Sequence, residues 1–251
     1  MTIKDGIQLE ENAVRSFLLI GQSNMAGRGK FGEVPKIENK NCFMLRMGRW
    51  QTMHEPINPD RPVYEGECNH PSGIGLSASF ADLAAKWEGG KVGLIPCADG
   101  GTRIDQWMPG EILYDHALMM ARLAMRSSTL SGILWHQGES DCTSEERLEA
   151  HGEKFITMIT ALRLELRAED IPLILGELST HIDPARKLAD RPERMNQRYH
   201  EIAAQLPCCG IASSEGLTLQ EDGLHFDSVS YRRFGERYFE VYQNLCARKE
   251  V

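Results

Sequence analysis

Residues 14 to 27 read Val-Arg-Ser-Phe-Leu-Leu-Ile-Gly-Gln-Ser-Asn-Met-Ala-Gly. The apolar part, Val14 to Ile20, is continuous rather than alternating, which suits a strand covered on both faces. It breaks at Gly21, and the next residues are polar: Gln22, Ser23 and Asn24. A strand that ends in a glycine-bearing polar turn is how an open α/β sheet presents chemistry at its carboxyl edge. Four similar apolar runs follow at Val92 to Cys97, Ile133 to His136, Leu173 to Gly176 and Cys209 to Ala212, with a weaker one at Cys42 to Leu45.

Helical stripes lie between these runs. Leu148, Phe155, Ile159, Leu162 and Leu166 step at helical spacing, as do Tyr231, Phe234, Tyr238, Val241 and Leu245. Thr143 with Glu146 is a candidate capping box for the first stripe. Leu76 to Trp87, Tyr114 to Met125 and Pro192 to Leu206 are further helices. Strand followed by helix, repeated, predicts an α/β fold: a three-layer α/β/α sandwich around a mostly parallel, flavodoxin-like sheet of five to six strands. No linker, repeat or low-complexity tract divides residues 1–251, so one domain is expected. The Gly-, Pro- and Asn-rich stretch 27–75 reads as a long irregular loop beside the site.

The chain has 251 residues, 41% of them hydrophobic and 25% charged, enough for one sizeable core. Its net charge of -8 argues against a nucleic-acid partner and against an anionic membrane surface. No run is long enough to cross a membrane, and the polar start lacks the pattern of a secretory signal. Seven cysteines, an odd count, read with that start as reduced thiols of a cytoplasmic protein. Cys68 with His70 is a weak ligand pair, and no metal site is expected. Whether the chain forms a homo-oligomer is not readable.

Four polar segments fall at strand ends or just before the last helix: Gly21 to Gly27, Cys97 to Thr102, Trp135 to Asp141, and Asp222 to His225. Each alone is ordinary. A serine after a strand is more often a helix cap than a nucleophile, and a lone histidine is usually a surface or core residue. Together they supply a nucleophilic serine, a histidine base, carboxylates to orient it and donors for an oxyanion.

These segments resemble the conserved blocks of SGNH hydrolases, and most closely the branch of sialate O-acetylesterases and acetylxylan esterases, carbohydrate esterase family 6. GQSNMAG at 21–27 matches the first block, Gly100-Gly101-Thr102 the second, HQGESD at 136–141 the third, and Asp222 with His225 the fourth. The resemblance runs from about residue 15 to 245. It implies that Ser23 is the nucleophile, that His225 is the base and then the acid, and that Asp222 orients the ring. It implies an oxyanion hole made of the Ser23 N–H, an N–H of Gly100 or Gly101, and the side-chain amide of Gln137. Parts of this branch use the glutamate of the third block instead, so Glu139 competes with Asp222. Gln22, Asn24, Arg103, Asp141 and Trp107 are candidates for supporting or substrate-facing positions. Arg103 either pins a carboxylate or is a solvated charge.

Gly27 to Gly32 fits a dinucleotide-binding glycine pattern, but it begins too far beyond the strand and opens no helix. Ser23 is not in a G-x-S-x-G elbow either. The expected activity is removal of acetyl groups from a carbohydrate ester, with no cofactor. Trp50, Tyr64 and Trp107 are candidate faces for stacking on sugar rings. A lipid or aryl-ester hydrolase of the same superfamily would want an apolar channel, whereas Glu65, Glu67, Asn69 and His70 make the loops polar. A catalytically silent carbohydrate-binding protein would be expected to lack Ser23 or His225.

Overall fold

The computed structural model describes residues 14–60 and 71–248. Its sheet has seven strands: β1 (Val14–Gly21), β2 (Cys42–Arg46), β3 (Arg49–Thr52), β4 (Lys91–Pro96), β5 (Thr129–His136), β6 (Leu173–Gly176) and β7 (Cys209–Ala212). Their order is β3-β2-β4-β1-β5-β6-β7, with every pair parallel except β2 with β3. Without the β2–β3 hairpin the order β4-β1-β5-β6-β7 is that of flavodoxin-like sheets.

Among the described residues six α-helices complete the layers: α1 (Ser23–Ala26), α2 (Ser77–Glu88), α3 (Ile112–Ala124), α4 (Glu145–Leu166), α5 (Arg191–Gln205) and α6 (Ser228–Ala247). Side chains alternate along a strand, and β1 shows why its run is apolar throughout. Leu18 and Ile20 join a core with residues of α3, α4 and α5, while Phe17 and Leu19 join another with residues of α2 and α6. Phe17 meets Phe80 and Tyr242 edge-on, with ring centroids 4.9 and 5.1 Å apart. Truncating such a buried ring to alanine costs about 3–5 kcal/mol.

The sheet therefore has one strand more than the upper end of the expected five to six. The added strand, β3, is an antiparallel edge strand, and it turns part of the supposed loop 27–75 into a hairpin. Met47 and Gly48 make its two-residue turn, both at positive φ (48° and 74°), as the tight hairpin turns require. Trp50 of β3 is buried against Gly93 and donates its indole N–H to Ser127 at 3.0 Å, so it offers no face to a sugar. The cap of α4 is Ser144, one residue after the expected Thr143: its hydroxyl accepts from the Arg147 N–H at 3.4 Å. Tyr64, Glu65, Glu67, Cys68, Asn69 and His70 lie outside the described residues.

β1 is the switch point of the sheet. The chain builds β2, β3 and β4 on one side of it, then β5, β6 and β7 on the other. A crevice opens beyond the carboxyl ends of strands at such a point, and here those ends carry the turns after β1, β4 and β5.

Candidate active site

The turns are tied edge to edge by backbone hydrogen bonds. The Gln22 N–H donates to the His136 carbonyl at 2.8 Å, and the Asp99 N–H to the Gly21 carbonyl at 2.9 Å. Gly21 has φ +131°, and a Cβ there would stand 2.1 Å from the His136 carbonyl oxygen, so only glycine lets β1 close on β5. Ser23 then begins the short α1.

His225 comes to Ser23 from the other end of the chain. Its Nε2 lies 2.9 Å from the Ser23 hydroxyl, and its Nδ1 lies 2.5 Å from Asp222 Oδ2. The other Asp222 oxygen accepts the N–H groups of Leu224 and His225, at 2.9 and 3.0 Å. Burial works to raise the Asp222 pKa. The hydrogen bonds from the His225 N–H, the His225 ring and the Leu224 N–H outweigh it and hold the carboxyl below the ordinary carboxylate range. An ionised Asp222 needs a donor, so Nδ1 carries the proton and Nε2 accepts from Ser23. Burial pushes the imidazole below its usual pKa, Asp222 opposes this, and the nearby Arg28 adds to it. The ring is therefore neutral at pH 7 and able to accept a proton. The α6 cap is Asp227, which accepts the Ser230 N–H at 2.7 Å, so Asp222 is not needed there.

Glu139 is not on the His225 ring. Its Oε1 accepts Asn24 Nδ2 at 2.6 Å and lies 3.2 Å from His136 Nε2, with the whole side chain buried. Burial raises its pKa, but the His136 ring and the Asn24 amide prevail and lower it. Of the two carboxylates, Asp222 is the one that meets the His225 ring, and the partners of Glu139 are Asn24 and His136.

Gln137 also departs from expectation. It is fully buried, and its amide nitrogen is spent on Thr102 O at 2.9 Å, Asp141 Oδ2 at 2.5 Å and Gln22 Oε1 at 3.2 Å. Its oxygen faces His151 Nε2 at 3.0 Å. A side-chain amide has two N–H bonds, so none remains for an oxyanion. Gln137 braces the turns from beneath, and Gln22 does the same, its oxygen also facing the N–H groups of Gly138 and Ser140 at 3.3 and 3.4 Å.

Gly100 lies against the serine: a Cβ on it would be 3.8 Å from Ser23 Cβ and 2.6 Å from Arg28 Nη2. A Cβ on Gly101 would meet nothing within 4 Å. Among the described residues, neither the Ser23 nor the Gly100 N–H has an acceptor. Trp107 is buried in the core, its indole N–H donating to Thr102 Oγ1 at 3.1 Å, and cannot stack on a ligand. Arg103 donates its backbone N–H to Gln106 Oε1 at 2.8 Å, and its side chain forms no ion pair among the described residues. Asp141 accepts the Ile104 N–H at 3.0 Å, and burial raises its pKa to about 6.

Arg28 is the site residue that the sequence reading passed over. It follows the GQSNMAG block directly and sat inside the rejected glycine pattern. That position, one residue past the turn that holds Ser23, is the available signal.

Comparison with known proteins follows the same line. A protein named a probable carbohydrate esterase from Arabidopsis thaliana is 27% identical over 253 residues, spanning 92% of this chain and 91% of that protein. The solved structure of that Arabidopsis thaliana protein has a TM-score of 0.81 at 24% identity, covering 93% of this chain and 98% of that one. The structure of NanS is similar in fold, with a TM-score of 0.76 at 15% identity over 96% and 99% of the two chains. A carbohydrate acetylesterase from Xanthomonas citri shares the fold with a TM-score of 0.62 at 19% identity, covering 92% of this chain and 56% of that one. The family described as "Carbohydrate esterase, sialic acid-specific acetylesterase" matches residues 13–244, and this chain belongs to that family.

Proposed function

We propose that the chain is a serine esterase that removes acetyl groups from O-acetylated sugars or oligosaccharides through an acetyl-serine intermediate. The observation that carries this reading is the hydrogen-bonded line Ser23–His225–Asp222 at the switch point of the sheet. In the first half-reaction His225 Nε2 takes the Ser23 proton while Oγ bonds to the acyl carbon. The carbonyl electrons move onto oxygen, where the N–H groups of Ser23 and Gly100 are the donors. The intermediate collapses, the bond to the sugar oxygen breaks, and that oxygen takes the proton from His225. In the second half-reaction water repeats the attack, Oγ leaves with the proton, and acetate is released. Donors fixed in advance around an oxyanion are worth about 10²–10³ in rate each, and the base contributes because its proton affinity sits near working pH.

The test is acetate release from acetylated sialic acid and from acetylated xylo-oligosaccharides, and nitrophenol release from p-nitrophenyl acetate. Wild type hydrolyses the acetyl esters, and Ser23→Ala loses at least roughly a thousandfold in kcat. Full activity in the variant removes the nucleophile from this account. The two sugars rank the substrate class.

A further inference from the structure

Asp222 and His225 ride on the same loop, three residues apart. Asp222 therefore fixes the imidazole relative to that loop, but not the loop relative to Ser23. Something else sets the distance between base and nucleophile, and the side chain of Asn24 is built for it. Its oxygen faces the Phe226 N–H at 3.3 Å, and its nitrogen faces the Leu224 carbonyl at 3.4 Å. Leu224 and Phe226 flank His225 on both sides. The same amide is held from behind. Tyr231 donates its hydroxyl to Asn24 Oδ1 at 2.6 Å, and Asn24 donates to Glu139 Oε1 at 2.6 Å. Both donors and both acceptor sites of the amide are thus used, and its orientation follows from chemistry: Glu139 needs a donor and the Phe226 N–H needs an acceptor. Asn24 is 1% exposed, so water does not compete for these bonds. Other side-chain ties to the segment after Ser23, such as Gln220 Nε2 to the Arg28 carbonyl at 2.8 Å and the Ser228 hydroxyl to the Lys30 carbonyl at 3.2 Å, start from residues farther along the chain from the imidazole than Leu224 and Phe226.

We infer that Asn24 is a positioning residue whose task falls in the second half-reaction. This rests on the serine-esterase reading above. In the resting enzyme the Ser23 hydroxyl itself holds His225. Once acylated, Oγ is an ester oxygen with no proton to give, and that hydrogen bond is lost. His225 must nevertheless stay in place to take a proton from water as the water oxygen bonds to the acyl carbon. It then returns that proton to Oγ as the C–Oγ bond breaks. Asn24 does not touch the reacting atoms, and its bonds to both flanks of His225 survive acylation. Glu139, which the mechanism otherwise leaves without a task, anchors this clip to the end of β5.

The experiment compares acylation and deacylation in wild type, Asn24→Ala and Tyr231→Phe with p-nitrophenyl acetate. A rapid nitrophenol burst reports acylation, steady turnover reports deacylation, and mass spectrometry of acid-quenched protein counts the acetyl-enzyme. Asn24→Ala is expected to lower deacylation by about 10- to 100-fold, to lower acylation less, and to accumulate the acetyl-enzyme. Tyr231→Phe removes one of the four bonds and leaves the other three, so it shows the same imbalance more weakly in a folded protein. Equal loss of both steps with no accumulated acetyl-enzyme overturns the assignment, as does an unchanged balance in both variants. The two readings fail separately: loss of the esterase reading appears as full activity in Ser23→Ala, whereas loss of this one appears as an essential Ser23 with an unaltered balance in Asn24→Ala.

Discussion

His225 Nε2 stands 2.9 Å from the Ser23 hydroxyl, although 202 residues of chain separate them. The fold closes that gap by placing the first strand at the centre of the sheet and the histidine loop just ahead of α6, the last helix.

The two carboxylates near the base should separate cleanly. Asp222→Asn deprives the imidazole of its acceptor and favours the wrong tautomer, and kcat is expected to fall by roughly 10³–10⁴. Glu139→Gln keeps an oxygen for Asn24 and His136 and changes kcat much less. Its cost appears in unfolding, at about 1–3 kcal/mol, because a buried hydrogen-bond network is disturbed. Parallel kinetics and urea melts of the two variants check this, and a larger kcat loss in Glu139→Gln reverses the assignment.

The pH profile follows from the depressed pKa of His225. The base works only when neutral, so kcat/KM should fall as pH drops through a value below 6.5, the ordinary pKa of histidine. Arg28 contributes to that depression. Removing its charge makes the imidazolium easier to form, so Arg28→Ala should move the acidic limb upward, by about a few tenths of a pH unit. A downward shift would contradict that contribution of the guanidinium.

Gln137 distinguishes an oxyanion donor from a brace. With its amide committed to Thr102, Asp141 and Gln22, Gln137→Ala should destabilise the fold by about 1–3 kcal/mol by leaving buried groups unpaired. Its kcat should stay well above the roughly hundredfold loss typical of a missing oxyanion donor. Thermal melts and kcat on p-nitrophenyl acetate read the two effects apart.

Asp141 gives a stability signature with its own sign. Burial raises its pKa from 3.8 to about 6. A raised carboxyl pKa contributes stability that is fully present below the unfolded value and is lost as pH rises through the folded one, here between about pH 4 and 6. The shift corresponds to on the order of 3 kcal/mol. Asp141→Asn does not titrate, so wild type should lose stability relative to the variant as pH rises from 4.5 to 7. A constant difference between their urea midpoints across that range contradicts the shift.

How far the sequence could be read depended on what each signal measures. Continuous apolar runs such as Leu173 to Gly176 are fixed by burial on both faces, and those strands appear where the pattern puts them. Arg49–Thr52 is an edge strand with burial on one side chain only, so it gives no such run. Its one cue was Met47-Gly48, a weaker turn signal than Asn-Gly. The meeting of Ser23 and His225 was legible because topology brings strand-end turns together. The direction of a side chain within those turns was not. Gln137 and Gln22 point under the crevice, and Trp50 and Trp107 point into the core, through packing that only the folded chain defines.

The most direct test is to find where the acetyl group goes. Wild-type enzyme is mixed with excess p-nitrophenyl acetate, quenched in acid within the first turnover, digested and analysed by mass spectrometry. Acetyl is expected on the peptide that holds Ser23, on the serine itself, and none in Ser23→Ala. Acetyl on another residue that turns over at the rate of catalysis, or full turnover with no acetyl on Ser23, would contradict it.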